Sequence, residues 1–285
     1  MADWQITYRC NENCISCIIP EEVYGREVPE KITELFLHQN EDDVISIGGG
    51  EPTLHDDILD ILQKAREENP GATIFLVTNG RMFAYEEFVQ ELSELELGDF
   101  RLGISLYGHE AEVHEKVTRV EGSFRDTVQG IKNLTAEGFE VEVRVVVHRL
   151  NHEHLPEIYS FVDEELPGIS RLVFMNAKYS GRAYDNREEL LVEYPEVVPY
   201  MEEALSLTEE ENFPVRLFHF PLCTLDEEFR DYAATGNTKD SGAEEIGYAS
   251  VCEECGRWEE CSGIWQSYLN LVGEDEFEPI QDGES

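Results

Sequence analysis

Short β-branched runs alternate with amphipathic stretches from Gln5 to Met175, and this alternation limits the fold more than any other feature of the sequence. Apolar residues two apart mark strands, while apolar residues three and four apart mark helices. Strands are expected over 5–9, 44–47, 73–77, 100–106, 141–147 and 172–175. Helices are expected over 29–39, 56–69, 84–95, 123–138 (capped by Ser123) and 153–164, with Asn79-Gly80 as a turn. Strands alternating with helices form a parallel sheet, whose ligands gather at the carboxyl ends of the strands. Six units are too few for a complete eight-stranded barrel. The expected fold class is therefore α/β: an open, partial (β/α)6 barrel of parallel strands over 1–180. Beyond Ala177 the alternation gives way to a polar stretch, a helix near 194–211 and a cysteine-rich extension over 181–272. The acidic tail, 273–285, is poor in apolar residues and is expected to be mobile. The sequence contains no internal repeat and no low-complexity linker.

Composition narrows the partners. Hydrophobic residues make up 41% and aromatics 10% of the 285 residues, enough for a sizeable core. Asp and Glu number 62 against 21 Lys and Arg, a net charge of −41. Nucleic-acid backbones and anionic membrane surfaces are bound through clustered Lys and Arg, so neither is an expected partner. No apolar run approaches the roughly 20 residues needed to span a bilayer. The N-terminus also lacks a basic region followed by an apolar stretch. The expectation is a soluble cytoplasmic protein, its carboxylate-rich surface suited to a high-salt, halophilic cytoplasm.

The seven cysteines fall into two groups. Cys10, Cys14 and Cys17 have the spacing C-x3-C-x2-C. Cys223 is followed by Cys252, Cys255 and Cys261 at C-x2-C-x5-C. An odd number in a cytosolic chain does not suggest a disulfide framework, and every cysteine belongs to a group, which points to metal. Three thiolates on a loop after a strand suit three corners of a [4Fe–4S] cluster, leaving the fourth iron for a non-protein ligand. Zinc is the alternative, although a structural zinc site needs a fourth protein ligand and none lies nearby in sequence.

The first cysteine group, followed by Gly49-Gly50-Glu51-Pro52 after the second strand, resembles the radical S-adenosylmethionine (radical SAM) enzymes. Thr78-Asn79-Gly80 and Ser105-Leu106-Tyr107-Gly108 add to the likeness, which covers about residues 3–180. One departure stands out: Ser16 occupies the position before the third cysteine where the family usually has an aromatic. The resemblance implies a [4Fe–4S] cluster on Cys10, Cys14 and Cys17 whose open iron chelates the methionine moiety of S-adenosyl-L-methionine. It implies that Gly49, Gly50, Glu51 and Pro52 line that cosubstrate, with Asn79 near them, Ser105 on its carboxylate or ribose, and Arg144 as a further contact. Asn79 also reads as a plain turn residue, and Arg144 as half of an ion pair. A low-potential electron donor such as ferredoxin or flavodoxin is implied as a partner.

The second group looks like the core of the SPASM or twitch extensions of such enzymes, with Cys223 as the fourth ligand of one auxiliary [4Fe–4S] cluster. A full SPASM domain continues with another cysteine where this chain has Trp265, so one auxiliary cluster is expected, not two. A four-thiolate zinc knuckle is the alternative. The aromatics of 263–268 are expected to cover the cluster, Tyr179, Arg182 and Tyr184 to form a substrate rim, and His109 and His114 to sit at a solvated helix start. The implied activity is hydrogen abstraction by a 5′-deoxyadenosyl radical from a peptide or protein. Alternatives are small-molecule or cofactor biosynthesis and, from another class, a non-catalytic iron–sulfur electron-transfer protein. No catalytic side chain is singled out.

Overall fold

The computed structural model describes residues 2–28, 44–208, 213–233, 236 and 245–281. All six expected strands form: β1 (Ala2–Thr7), β2 (Val44–Gly49), β3 (Thr73–Thr78), β4 (Phe100–Ser105), β5 (Glu140–Val147) and β6 (Arg171–Asn176). They pair in parallel and in sequence order, so the described crossovers lie on one face. The strand residues on that face are wholly buried: Ile45 and Ile47, Ile74 and Leu76, Leu102 and Ile104, Val141 through Val147 at alternate positions, and Leu172 with Phe174. Against them pack the apolar stripes of the crossover helices, such as Ile58, Ile61, Leu62 and Ala65 of Ile58–Glu68. Each such side chain contributes roughly 1.5–3 kcal/mol by leaving water. The expected helix over 29–39 lies outside the described residues.

The opposite, inner face is mixed in character. Phe75, Gly103 and Arg144 crowd together there, and a Cβ on Gly103 would meet Phe75 Cζ at 2.6 Å and Arg144 Cδ at 2.9 Å. Ser105, the last residue of β4, is level with Arg144 on β5.

Three features differ from expectation. The sheet has a seventh parallel strand, β7 (Val215–Phe218), on the outer edge of β6, so it continues past residue 180. Four residues with an exposed Arg216 carry too little periodicity to stand out in a polar stretch. Ser123 is not the cap: Gly122, at φ +82°, takes that position, and the Ser123 hydroxyl is buried against Thr118 Oγ1 at 2.7 Å. Residues 273–281 are packed and not a free tail, because Phe277 and Ile280 are buried and Gly256 N–H donates to Ile280 O at 2.8 Å. Two spaced apolar side chains suffice to dock so short a strap. A two-stranded antiparallel hairpin, β8 (Ile246–Gly247) with β9 (Ile264–Trp265), completes the described fold. Among the described residues no helix is long and apolar enough to cross a membrane.

Candidate iron–sulfur and cosubstrate site

Cys10, Cys14 and Cys17 sit on the loop that leaves the carboxyl end of β1, and tertiary bonds hold that loop from several sides. Asn13 and Ile15 N–H donate to Thr118 O (3.0 Å) and Val117 O (2.9 Å), at the end of the helix after β4. From the end of β3, Asn79 Nδ2 donates to Asn11 Oδ1 (2.7 Å) and Arg81 to Asn11 O (2.6 Å). From the turn after β6, Ala183 N–H donates to Cys17 O (2.8 Å), and Arg182 bonds Asn13 Oδ1 and pairs with Glu21 at 3.1 Å.

The thiols are largely withdrawn from water. Burial pushes Cys10 up to about 12 and Cys14 well above the ordinary thiol range, and Cys10 and Cys17 add to the effect at Cys14. Working against burial, the backbone amides of Glu12 and Ile19 donate to the sulfurs of Cys10 and Cys17. Amides aimed at sulfur favour thiolate, the form that binds iron. Three thiols on one loop, with sulfur-directed amides, fit a cluster held at three corners.

Gly49 and Gly50 are bare for a reason internal to the protein. Their turn runs alongside the chain entering the cysteine loop, with Gly50 and Glu51 N–H donating to Thr7 O and Arg9 O at 2.7 Å each. A Cβ on Gly49 (φ +147°) would stand 2.2 Å from Thr7 O, and one on Gly50 2.1 Å from Arg9 O. Glu51 faces inward: Oε1 accepts from Thr53 Oγ1 and Thr78 Oγ1 (2.6 Å each) and from Thr53 N–H (3.1 Å), and Oε2 accepts from Asn79 N–H (2.7 Å). Its carboxylate therefore ties the β2 turn to the β3 turn, with Pro52 buried in the short helical turn that follows. Asn79 is more than a turn residue, since its side chain reaches back to the cysteine loop.

Tyr107, named in the sequence only as part of the Ser105-Leu106-Tyr107-Gly108 motif, has a place of its own in the site. It is buried, hydrogen-bonded to Ser105, and burial together with Cys14, Glu12 and Cys17 raises its hydroxyl well above the usual range. Glu12, also buried, is pushed up to about 7, chiefly by desolvation. The signal available in the sequence was a polar residue inside each cysteine or strand-end motif. His114 is not solvated: it is buried beneath this group, accepts the Tyr107 N–H at 3.2 Å, and is pushed down to about 3 by burial. Nor do Tyr179 and Arg182 form a rim; both are buried, Tyr179 in the core and Arg182 under the cysteine loop. Tyr184 is exposed and stacks against Arg187. Arg144 pairs with Glu142 at 3.3 Å on the inner face.

The four remaining cysteines line one common pocket. Cys223, on the short turn Leu222–Thr224, faces Cys252, Cys255 and Cys261, and Tyr248, Trp258 and Phe277 wall them in. Burial pushes Cys223 up to about 12, while the amide of Glu278 offsets part of this, as the amides of Leu222 and Gly263 do at Cys261. Donor chemistry and apolar walls fit a four-thiolate centre. Among the described residues, no three His, Cys, Asp or Glu side chains converge as ligands of a single metal ion. Trp265 does not line this pocket: its Nε1 donates to Asn176 O at 2.9 Å and its ring packs, tilted, against that of His219.

Comparison with known proteins agrees with this geometry. The family model described as "Radical SAM superfamily" matches residues 4–162. The Fe-coproporphyrin III synthase of Methanosarcina barkeri is 29% identical over 223 residues, 75% of this chain and 53% of that protein. The mycofactocin maturase MftC of Mycobacterium ulcerans is 32% identical over 194 residues, 66% of this chain and 50% of that protein. The chain thus spans about half the length of the curated relatives it matches. Streptococcus suis SuiB, solved with S-adenosylmethionine, superposes with a TM-score of 0.63 at 18% identity, covering 99% of this chain and 76% of SuiB. That likeness is one of fold.

Proposed function

The chain belongs to the radical SAM superfamily, and from that premise we propose that it binds a [4Fe–4S] cluster through Cys10, Cys14 and Cys17 and uses it with S-adenosyl-L-methionine. When bound, this pair supplies a 5′-deoxyadenosyl radical able to take a hydrogen atom from an unactivated C–H bond. The observation that carries the reading is the three-thiol loop with amides aimed at its sulfurs, bonded directly to the turn after β3 and abutted by the Gly49-Gly50-Glu51 turn. In this reading the chain's own residues position and exclude water. Gly49, Gly50 and Pro52 shape the wall facing the cosubstrate, Glu51 holds that wall to Asn79, and Ser105 and Tyr107 close the floor. Cys223, Cys252, Cys255 and Cys261 hold an auxiliary [4Fe–4S] cluster, and a low-potential ferredoxin or flavodoxin supplies electrons.

For the substrate, we favour a peptide or protein. The 32% identity to a maturase supports this. Cofactor biosynthesis is the second reading, favoured by the 29% identity to a porphyrin enzyme that aligns over 75% of this chain. The test is anaerobic reconstitution followed by measurement of 5′-deoxyadenosine formed from S-adenosylmethionine under strong reductant. We expect formation that vanishes in the Cys10→Ala, Cys14→Ala, Cys17→Ala triple variant. An iron-loaded wild-type protein forming none would sink the enzymatic reading in favour of electron transfer, and zinc in place of iron would remove both.

A further inference from the structure

Opposite the cysteine loop, at the β5–β7 side of the sheet, lies a group of cationic and aromatic side chains that the proposed chemistry does not use. Arg144 is the first of them. Its side chain is only 19% exposed, yet it donates no hydrogen bond to any described residue. Glu142 Oε1 lies 3.3 Å from Nε without hydrogen-bond geometry, and Glu142 is shared with Arg171 at 3.5 Å. Nε is buried without a hydrogen-bond partner, and burying an N–H donor without an acceptor is costly. Such a group is poised for an acceptor that arrives from outside.

His219 is the second. It follows β7 with φ +60°, a conformation that a non-glycine residue adopts only when its surroundings impose it. Its carbonyl accepts the Tyr194 hydroxyl at 2.7 Å, and its ring lies 3.8 Å from that of Trp265. Nδ1 is buried and has no partner among the described residues. Burial, then Arg144 and Lys178, push the imidazole down to about 4, so it is neutral at pH 7 and has one N–H to give. Lys178, in the turn after β6, lies 5.6 Å from the Trp265 ring and pairs with the exposed Glu245 at 2.5 Å.

We propose that Arg144, Lys178 and His219, backed by Trp265, recognise a carboxylate on the substrate, one joined to a flat or apolar body that rests on the indole. The planar guanidinium fork matches a carboxylate in bidentate fashion. Glu142, Asp3 and Glu245 already face Arg144 and Lys178, so the set has no surplus positive charge for a phosphate dianion and would hold a singly charged carboxylate through directed N–H donors. The inference rests on the reading that substrate meets the carboxyl ends of the strands. Either substrate class above can present such a group, as an acidic side chain or chain terminus of a peptide or as a carboxylated small molecule.

The test uses the full reconstituted chain with S-adenosylmethionine, titrated with benzoate and with its uncharged isostere benzamide, followed by tryptophan fluorescence and ligand-observed NMR. We expect benzoate to bind about tenfold more tightly than benzamide and Arg144→Met to remove that advantage. Arg144→Lys, which keeps charge but loses the fork, should fall between, and Trp265→Phe should abolish the fluorescence change. Arg144→Met also removes the ion pair to Glu142 and the contact with the Phe75 ring, so its melting temperature is read alongside; if it fails to fold, Arg144→Lys and Lys178→Met answer the same question. Equal binding of benzoate and benzamide, or benzoate binding unmoved by these variants, would overturn the proposal. So would a parallel loss of S-adenosylmethionine affinity in Arg144→Met, which would assign the arginine to the cosubstrate. Titration with extended peptides and with small aromatic acids then separates the two substrate sources. A wild type that forms no 5′-deoxyadenosine defeats the proposed function alone, because the benzoate titration is read independently.

Discussion

The two cysteine sites are built in opposite ways. Residues 11–17 take their restraints from across the chain: Asn79 and Arg81 after β3, Val117 and Thr118 after β4, Arg182 and Ala183 after β6. The C-terminal site is nearly self-contained. Turns at Ser250–Glu254 and Trp258–Glu260 set its three clustered cysteines, residues 277–279 close it, and the Pro221–Cys223 turn comes from elsewhere. A site assembled from distant elements registers any shift of the sheet, whereas a local one depends on its own turns. The first suits chemistry that must be aligned with other groups, and the second suits a fixed, enclosed centre.

The sharpest way to break this contrast is Gly50→Ala. Its Cβ would meet Arg9 O at 2.1 Å, and the atoms it meets, Arg9 and Tyr8 backbone, are not the movable end of a side chain. We expect iron to fall from about eight to about four atoms per chain, with no 5′-deoxyadenosine formed. Full iron loading would show that the turn and the cysteine loop are not coupled. The mirror experiment is Cys252→Ala with Cys255→Ala, which should lose about four irons while S-adenosylmethionine binding stays within about twofold. Loss of both iron populations would mean that the sites fold as one.

Arg182→Met probes the distant restraints directly. It removes buried bonds to Asn13 and the ion pair to Glu21, for an expected cost of about 2 kcal/mol in chemical denaturation. Arg182→Lys should recover part of this. Oxidative iron loss should accelerate at the first site and not at the second, which absorption decay in air would resolve.

Acid should also act unequally. His114 and His148 are buried around Tyr107 and pushed down to about 3 by desolvation. The unfolded chain takes up protons near pH 6.5 while the folded imidazoles stay neutral, so stability falls as pH drops from about 6.5 toward 3. At pH 5 the expected loss is about 2 kcal/mol per imidazole. Residues 245–281 contain no histidine. Hydrogen exchange at pH 5 should therefore loosen the region around Tyr107 first, and His148→Gln should flatten the pH slope. Equal protection of both regions would count against the contrast.

Much of this architecture is legible in the sequence. The β-branched runs at 44–47, 73–77 and 141–147 form strands because such side chains pack well on the pleated, covered face of a sheet, where they are wholly buried at alternate positions. The spacing of the cysteines and the Gly49-Gly50-Glu51-Pro52 run mark the metal-binding loop and its neighbour. β7 escapes a reading of periodicity because a four-residue strand carries almost no period. The docking of Phe277 and Ile280 escapes it because two apolar residues in an acidic stretch resemble a solvent-exposed tail.

What the sequence determined by itself was local: which segments are strands, which thiols share a loop, and where glycine is needed. These follow from periodicity, spacing and side-chain size, all properties of neighbours along the chain. Only the tertiary structure decided what each polar group faces. It turned the Glu51 carboxylate into a strut between two strand ends, took Arg182 from the expected rim to the underside of the cysteine loop, and moved Trp265 from the auxiliary pocket to His219. It left Nε of Arg144 buried without a hydrogen-bond partner among the described residues. The reason is physical: a polar side chain is committed by the partners that folding brings within about 3 Å, and those partners lie tens of residues away in sequence.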